Sequence, residues 1–414
     1  MWGVLANTWP LLAGVMLLML GNGIQSTLLG IRGVQENFST IEISLVMSGY
    51  FIGFLGGSRL APHLIRKVGH VRVFAALGSL TSAAILLFAQ FPQPVVWIAL
   101  RIIIGLCFSG VYVVAESWLN DAATNDTRGQ TLSLYVLVQL VGVVAAQGLL
   151  NFGDTGGYFL FVLASVLVSL SFTPILLWVG QVPAYATAKP MTISRLVRIS
   201  PLGAVGTIFL GAVFAAQWGM VPVYGTKIGM SVGEVSALVA ALYAGGMALQ
   251  FPMGWLSDRF DRRKLMLCMA TVSAVATAVA FVSQGNFYLL LAAAFVCGSM
   301  TNPLYSVLVA HTNDFVDHED LAAAAGRLVF LNGAGAVCGP LLVGWMMNTL
   351  GANGLWIYIG AIMGIFALFC LVRIVLEPLP KSHDVSSIVP VTPNLSPVAH
   401  EVAQESLLED NEGK

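Results

Sequence analysis

The chain has 414 residues, 57% of them hydrophobic and only 9% charged, where a soluble domain carries roughly 25% charged residues. With a mean hydropathy of +0.84, it holds more apolar side chain than a globular core of this length can hide, which excludes an ordinary soluble fold and makes a lipid bilayer the solvent that suits it. A net charge of −1 supplies no overall field to draw nucleic acid or acidic partners.

About twenty apolar residues cross a hydrocarbon core. That window predicts twelve spans, at 9–31, 41–63, 72–90, 94–119, 129–150, 158–180, 201–225, 232–256, 264–283, 287–313, 322–349 and 354–376. Ahead of the first, Met1-Trp2-Gly3-Val4 carries no cation and no small-residue cleavage pattern follows, so span one is expected to stay in the mature protein. Short polar turns separate the spans, among them Phe91-Pro92-Gln93-Pro94, Asn151-Phe152-Gly153-Asp154 and Gln284-Gly285-Asn286. The 43 glycines suit helices that approach closely in lipid. Five cysteines (Cys107, Cys268, Cys297, Cys338 and Cys370) fall inside apolar runs without metal or redox spacing, and are read as small packing residues.

The segment Gln181–Ser200, with Pro183, Lys189, Pro190, Arg195 and Arg198, divides the spans six and six. The expected organisation is an N-terminal six-helix bundle over 1–180, a cytoplasmic linker over 181–200, a C-terminal six-helix bundle over 201–376 and a disordered cytoplasmic tail over 377–414. The tail runs into Glu401, Glu405, Glu409, Asp410 and Glu412, a solvated composition. Cations set the orientation: Arg66, Lys67, Arg72, Arg128, Lys189, Arg195, Arg198, Arg259, Arg262, Arg263, Lys264 and Arg327 fall on one side, and Arg32, Arg101 and Lys227 toward the other. Both termini are therefore expected in the cytoplasm.

Shifting the second half by about 193 positions pairs Gly105 with Gly298, Tyr112 with Tyr305, Asn120 with Asn313 and Asp121 with Asp314 on spans four and ten. Gln139 meets Asn332 and Gly142 meets Gly335 on spans five and eleven; Tyr50 meets Tyr243 and Gly53 meets Gly246 on spans two and eight. The expected fold is thus an all-α membrane protein of twelve transmembrane helices in two pseudo-symmetric six-helix bundles, with a site near mid-depth between them.

The stretch Gly254-Trp255-Leu256-Ser257-Asp258-Arg259-Phe260-Asp261-Arg262-Arg263 resembles the loop signature of the major facilitator superfamily. The first-half copy, Arg66-Lys67-Val68-Gly69-His70-Val71-Arg72, keeps the cations and glycine and lacks the acid. Arg101-x-x-x-Gly105 resembles the family's fourth-helix arginine motif, and Thr127-Arg128-Gly129 its start of helix five. The resemblance covers about residues 8–376, and Ala115–Asn120 with Ala310–Asp314 is similar to a poorly characterised bacterial branch, so it names no substrate. The G-x-x-x-G-P pattern usual on helix five of drug–proton antiporters is absent there and occurs instead on span eleven, as Gly335–Pro340, which weakens a drug-efflux reading. The resemblance implies the bacterial inner membrane and a cavity lined by spans one, four, seven and ten.

Glu116 is the acid placed well within a span, and an ionisable group in hydrocarbon is expensive enough to face the bundle interior or water. It reads either as a proton or substrate-cation site or as a structural acid bonded to helix-end groups. Arg101 lies about 22 Å away on the same helix at 1.5 Å per residue, so the two form no direct pair. Arg101 reads as an anchor for an anionic group or the tuner of a proton acceptor, against an arginine clamped by backbone carbonyls. Arg32 reads as an interfacial snorkelling cation more than a binding group. Asn22 and Gln25 on span one, with Gln217 and Trp218 on span seven, suit an organic solute with polar groups; interhelical hydrogen bonding is the alternative. Tyr112 and Tyr305, the repeat-related tyrosines, belong to the same candidate lining. His311 and Asp314 lie near the end of span ten, the histidine reading as a capping group more than a titrating one. Gly254, Asp258, Arg259, Arg262, Arg263 and Arg128 form the expected gate, with the Asp258 carboxylate latching on the start of helix five at Thr127–Gly129.

No nucleotide, metal or hydrolase motif is present in the sequence, so no enzyme, cofactor or metal is expected and energy must come from a gradient. The sequence supports a secondary transporter that moves a small organic solute by alternating access with coupling to protons, or alternatively a transporter-like sensor or assembly partner. Expected partners are an unidentified small-molecule solute, protons and the lipid bilayer, without nucleic acid, and the chain is expected to act as a monomer.

Overall fold

The structure, a computed structural model, describes residues 2–123, 127–177, 191–283, 285–317 and 320–376. The tail, the first part of the linker and the Arg128 side chain, on all of which expectations were placed, lie outside the described residues. Among the described residues thirteen α-helices follow one another: α1 (Trp2–Gln35), α2 (Thr40–Val68), α3 (His70–Gln90), α4 (Pro94–Ala122), α5 (Arg128–Leu149), α6 (Phe159–Leu177), α7 (Ile193–Ile199), α8 (Pro201–Lys227), α9 (Val232–Ser257), α10 (Arg262–Val282), α11 (Phe287–Asn313), α12 (Leu321–Leu350) and α13 (Gly354–Leu376). Eleven contain runs long and apolar enough to cross a bilayer, and α6 adds the shorter apolar run Phe159–Pro174; the chain is a multi-pass membrane protein. Within the linker region the structure adds a short helix: Thr192 accepts a hydrogen bond from the Arg195 N–H and starts the two turns of α7 there. Arg195 then pairs with Asp320 at 2.6 Å, and Arg327 donates to the Met191 carbonyl, fixing α7 to the start of α12.

Local chemistry sets the helix ends. Ser39 and Ser231 each open a capping box with Glu42 and Glu234, satisfying orphan donors of the first turn. Pro94 and Pro201 stand in the first turns of α4 and α8, where a missing N–H is harmless. At the ends of α1 and α8 the chain turns through Asn37 (φ 60°) and Gly229 (φ 82°), and Phe38 and Met230 donate back to the carbonyls of Gly33 and Gly225, closing each helix in a Schellman motif.

These turns and capping boxes recur 192 residues apart, not 193. The helix crossings give the same correction. A Cβ built on Gly53 would lie 1.9 Å from the Ile102 carbonyl oxygen, and one on Gly105 would lie 1.9 Å from that of Tyr50. The second half repeats this with Gly245 at 2.2 Å from Phe295 and Gly298 at 2.0 Å from Leu242. Gly53 therefore matches Gly245 rather than Gly246, and Tyr50 matches Leu242 rather than Tyr243. The extra residue sits between α10 and α11, where residues 283–286 replace the shorter 91–93 between α3 and α4.

Helix α2 crosses α4 and α1 lies on α5 and α6; α9 crosses α11 and α8 lies on α12 and α13, giving two bundles of six. They meet along α1–α8, flanked by α2–α12 and α5–α9. Helix α8 is central, with 83% of its apolar window buried against 28% for α13 at the rim. Exposed apolar side chains such as Val95, Val275, Tyr288, Trp345 and Val375 belong on a surface wetted by lipid. So do Cys268 and Cys338, which are exposed, while Cys107, Cys297 and Cys370 are buried as packing residues; all five are free. The packing-residue reading is thus corrected for two of the five.

Helix alternation gives the molecule a linker end, where α2, α4 and α9 finish and α3, α8 and α10 begin, and a far end, where α1 and α8 finish. At the far end the bundles touch directly. Pro222 lies against Gly30, Lys227 donates to the Thr40 hydroxyl, and Ser44 faces Gly344.

At the linker end Asp261 caps α10, accepting from the Arg263 N–H at 2.9 Å and pairing with its guanidinium at 3.1 Å. Partial burial works against its charge, but the Arg263 bonds and the nearby Lys264 outweigh it and hold the carboxyl below the ordinary aspartate range. A carboxyl lowered by folding contributes stability that is present above its unfolded-state pKa and is lost as pH falls through the folded-state value. Wild-type melting temperature should therefore drop more steeply under acid than that of Asp261→Asn; superimposable pH profiles would remove this contribution. Gly105→Ala should destabilise the detergent-purified protein by about 1–3 kcal/mol through overpacking. Gly56→Ala, which meets nothing within 4 Å, should be neutral or slightly stabilising, as read by thermal melting.

Candidate functional site

The α2–α4 crossing brings Tyr50 beneath Arg101. Arg101 lies about 10 Å along α4 from its start at 1.5 Å per residue and is 1% exposed. Its guanidinium carbon stands 4.8 Å from the Tyr50 ring centroid and Nη2 lies 3.7 Å from Met47 Sδ, while Nε and Nη1 have no hydrogen-bond partner. No carboxylate pairs with it among the described residues. The carbonyl clamp left open by the sequence is not formed there. A buried cation without a counter-charge costs several kcal/mol, and each unmet donor adds about 1–3 kcal/mol.

Tyr50 is the hub of the surrounding cluster. Asn22 of α1 sits beside the Tyr50 and Tyr112 hydroxyls, although neither of its amide atoms, nor those of Gln25, meets hydrogen-bond geometry with a partner. Both amides are fully buried. From the other bundle Trp218 of α8 packs edge-on to Tyr50, ring centroids 5.3 Å apart. The structure thus brings together Asn22, Arg101, Tyr112 and Trp218 of the sequence candidates around a tyrosine noticed only as a repeat residue.

The repeat supplies an internal control. At the positions of Asn22, Tyr50, Arg101 and Glu116 the second bundle carries Phe214, Leu242, Ala294 and Val309. The same crossings form there with apolar side chains, so packing of a bundle does not require the polar set.

Glu116, toward the linker end of α4, is 2% exposed and accepts a hydrogen bond from Tyr135 Oη at 3.0 Å. Gln139 lies beside Tyr135, and the Tyr112 hydroxyl, aimed at Met19 Sδ at 3.6 Å, stands near the same carboxylate. Tyr135 was missed in the sequence; the available signal was its position four residues before Gln139, on one face of α5.

Other candidates lie elsewhere. Gln217 is drawn away from the cluster into α11, exchanging hydrogen bonds with Thr301 at 3.2 and 3.3 Å and donating to Cys297, the interhelical alternative. Tyr305 is wholly buried within the second bundle. Arg32 pairs with Glu36 at 2.6 Å and reaches the Thr155 carbonyl at 3.5 Å, tying the end of α1 to the connection ahead of α6. His311 does not cap its helix: it is 6% exposed with its ring against Phe315, and Asp314 occupies the cap position. In the loop signature Arg262 is the buried hub. It donates to Ser257 Oγ at 3.2 Å and the Ala310 carbonyl at 3.0 Å, pairs with Asp314, and lies 3.6 Å from Asp258. It therefore ties the ends of α9 and α11 to the start of α10. Arg263 is committed to Asp261, Arg259 stacks on Trp255 at 3.9 Å, and the Gly254 carbonyl accepts the Asp258 N–H at 3.2 Å.

Comparison with known proteins agrees with this architecture. The sequence profile of the Major Facilitator Superfamily matches residues 11–203 and again 203–408. Proteins named uncharacterized MFS-type transporter YcaD are similar: that of Escherichia coli O7:K1 is 28% identical over 375 residues, covering 90% of this chain and 97% of its own, and that of Salmonella typhi is 28% identical over 380 residues with the same coverage. Among solved structures, a mutant of the nucleoside transporter NupG superposes with a TM-score of 0.75 at 14% identity, covering 89% of this chain and 99% of its own. The E. coli fucose:proton symporter FucP gives 0.57 at 15% identity, with the same coverage. With its profile matched once by each bundle, the chain belongs to the Major Facilitator Superfamily.

Proposed function

We propose that the protein is a secondary transporter that carries a small organic solute by alternating access, holding it between the bundles at Asn22, Gln25, Tyr50, Arg101 and Trp218. The observation that carries this reading is the Tyr50–Trp218 contact: the ring that lies beside the unmet Arg101 in one bundle packs against an aromatic of the other, so rocking of the halves parts them. Far-end closure through Gly30–Pro222 and Lys227–Thr40 makes this arrangement one of the two expected of such a carrier. The structural neighbours are named as a nucleoside transporter and a proton symporter, which supports a small solute and protons as the cargo classes. The same chain holds both bundles and every residue of the proposed site, so a monomer suffices.

Glu116 is the coupling carboxylate in this reading. It is buried in the bundle that holds the polar cluster, bonded to a tyrosine rather than exposed to lipid, and its protonation removes the charge that makes closure around it costly. The Arg262 hub with Asp258 and Asp314 braces the linker end of the second bundle, and its release biases which face opens. The cation bias of the loops and the bacterial relatives support a bacterial inner membrane with both termini cytoplasmic.

The test uses spin labels at Ile41→Cys and Ile228→Cys, exposed far-end positions on different bundles, in a cysteine-free background reconstituted in nanodiscs. Two distance populations should appear, their ratio changing from alkaline to acidic pH. Glu116→Gln should abolish the pH response while keeping both populations, and Asp258→Asn should shift the ratio at fixed pH. A single population insensitive to pH in the unsubstituted background would overturn the carrier reading.

A further inference from the structure

Resting on that reading, we infer that the carried solute is an organic anion, a carboxylate or equivalent planar anionic group on a flat apolar body, with Arg101 as its anchor. Three observations converge. Arg101 is buried, carries two unmet donors and has no acid paired with it among the described residues. A neutral solute would leave this charge uncompensated each time the cleft closes, and a cationic one would add repulsion to it. Glu116, the buried acid of the same helix, is about 22 Å along it from Arg101 at 1.5 Å per residue, too far to neutralise it. A ligand anion supplies the missing charge and accepts from the unmet N–H groups, the strongest class of hydrogen bond available to a guanidinium.

The remainder of the cluster specifies the body of the solute. Phe51, Phe54, Phe108 and Trp218 gather round Tyr50 with centroid separations of 5.3–6.2 Å, presenting ring edges and faces rather than hydroxyl-rich surface. This lining favours a planar apolar moiety over a polyhydroxylated one. Asn22 and Gln25, whose amide atoms are unmet and buried, offer donors and acceptors for one or two polar substituents. The apolar residues at the matching positions of the second bundle, Ala294, Leu242 and Phe214, show that the fold tolerates loss of this polarity. The crossing itself does not need the Arg101 charge, which leaves that charge for a bound group.

The test is a thermal-shift comparison on the full chain in nanodiscs with benzoate, salicylate, cinnamate and indole-3-acetate, each against its neutral amide, and with chloride and sulfate. At least one carboxylate should raise the melting temperature while its amide does not. Arg101→Gln should weaken that carboxylate about 30-fold or more, with Arg101→Lys recovering part of the loss. Without ligand, Arg101→Met should melt higher than wild type, because an uncompensated buried charge has been removed; a structural arginine would give the opposite. Equal shifts from every carboxylate and its amide, no shift from any carboxylate, or full retention in Arg101→Gln would overturn the assignment. Chloride or sulfate reproducing the whole shift would overturn the organic part of it. The spin-label distances of the carrier test are independent of these probes, so failure here with intact rocking removes the substrate class and leaves the carrier reading standing.

Discussion

Close approach of α2 and α4 is the constraint on which the rest depends. In lipid no solvent drives helices together, and contact must come from backbone surfaces that fit. Gly53 and Gly105 each face the other helix's carbonyl at a separation that no side chain permits. Gly49, one turn away, lies against the Arg101 side chain. The same crossing that holds the bundle together thus fixes the guanidinium over Tyr50. Site and scaffold are not separable here, because the arginine's position is a property of the helix pair rather than of its own rotamer alone.

Two bundles with one set of crossings and unequal polarity make a simple division of labour. The second bundle spends its buried hydrogen bonds on itself, with Gln217 held to Thr301 and Gln250 to Ser306. Arg262 similarly binds three helix ends at the linker end. The first bundle instead leaves Asn22, Gln25 and Arg101 unmet. In the proposed carrier the solute is held by the half that is less satisfied, against the half that contributes Trp218.

Much of the fold was legible because the bilayer leaves few options. Twenty-residue apolar runs in a chain with 9% charge must be helices, and the paired glycines reported the repeat. The register was misread by one because Tyr243 and Gly246 offered identities next to the true counterparts Leu242 and Gly245, and identity is a weaker guide than carbonyl contact. Helix α7 was hidden because a seven-residue helix leaves no periodic signal long enough to read. Among the candidate site residues, Arg101, Glu116 and Asn22 stood out as polar groups in apolar runs. Tyr50 and Tyr135 did not, since a tyrosine in a span is ordinary packing until a charged neighbour is placed beside it. Gln217 was ambiguous from the start, its bonding decided by Thr301 on a helix far away in sequence.

The extra residue between α10 and α11 also constrains the chain's history. Inserted within a helix, it would turn every later side chain by about 100°, swinging Gly298 off the Leu242 carbonyl and dismantling the crossing. Placed in a surface connection, it is absorbed by the turn. A spacing of 192 through the first three helix pairs and 193 at the next two is what a duplicated ancestor would leave had a single codon been gained or lost in one copy, at a place where the membrane registers nothing.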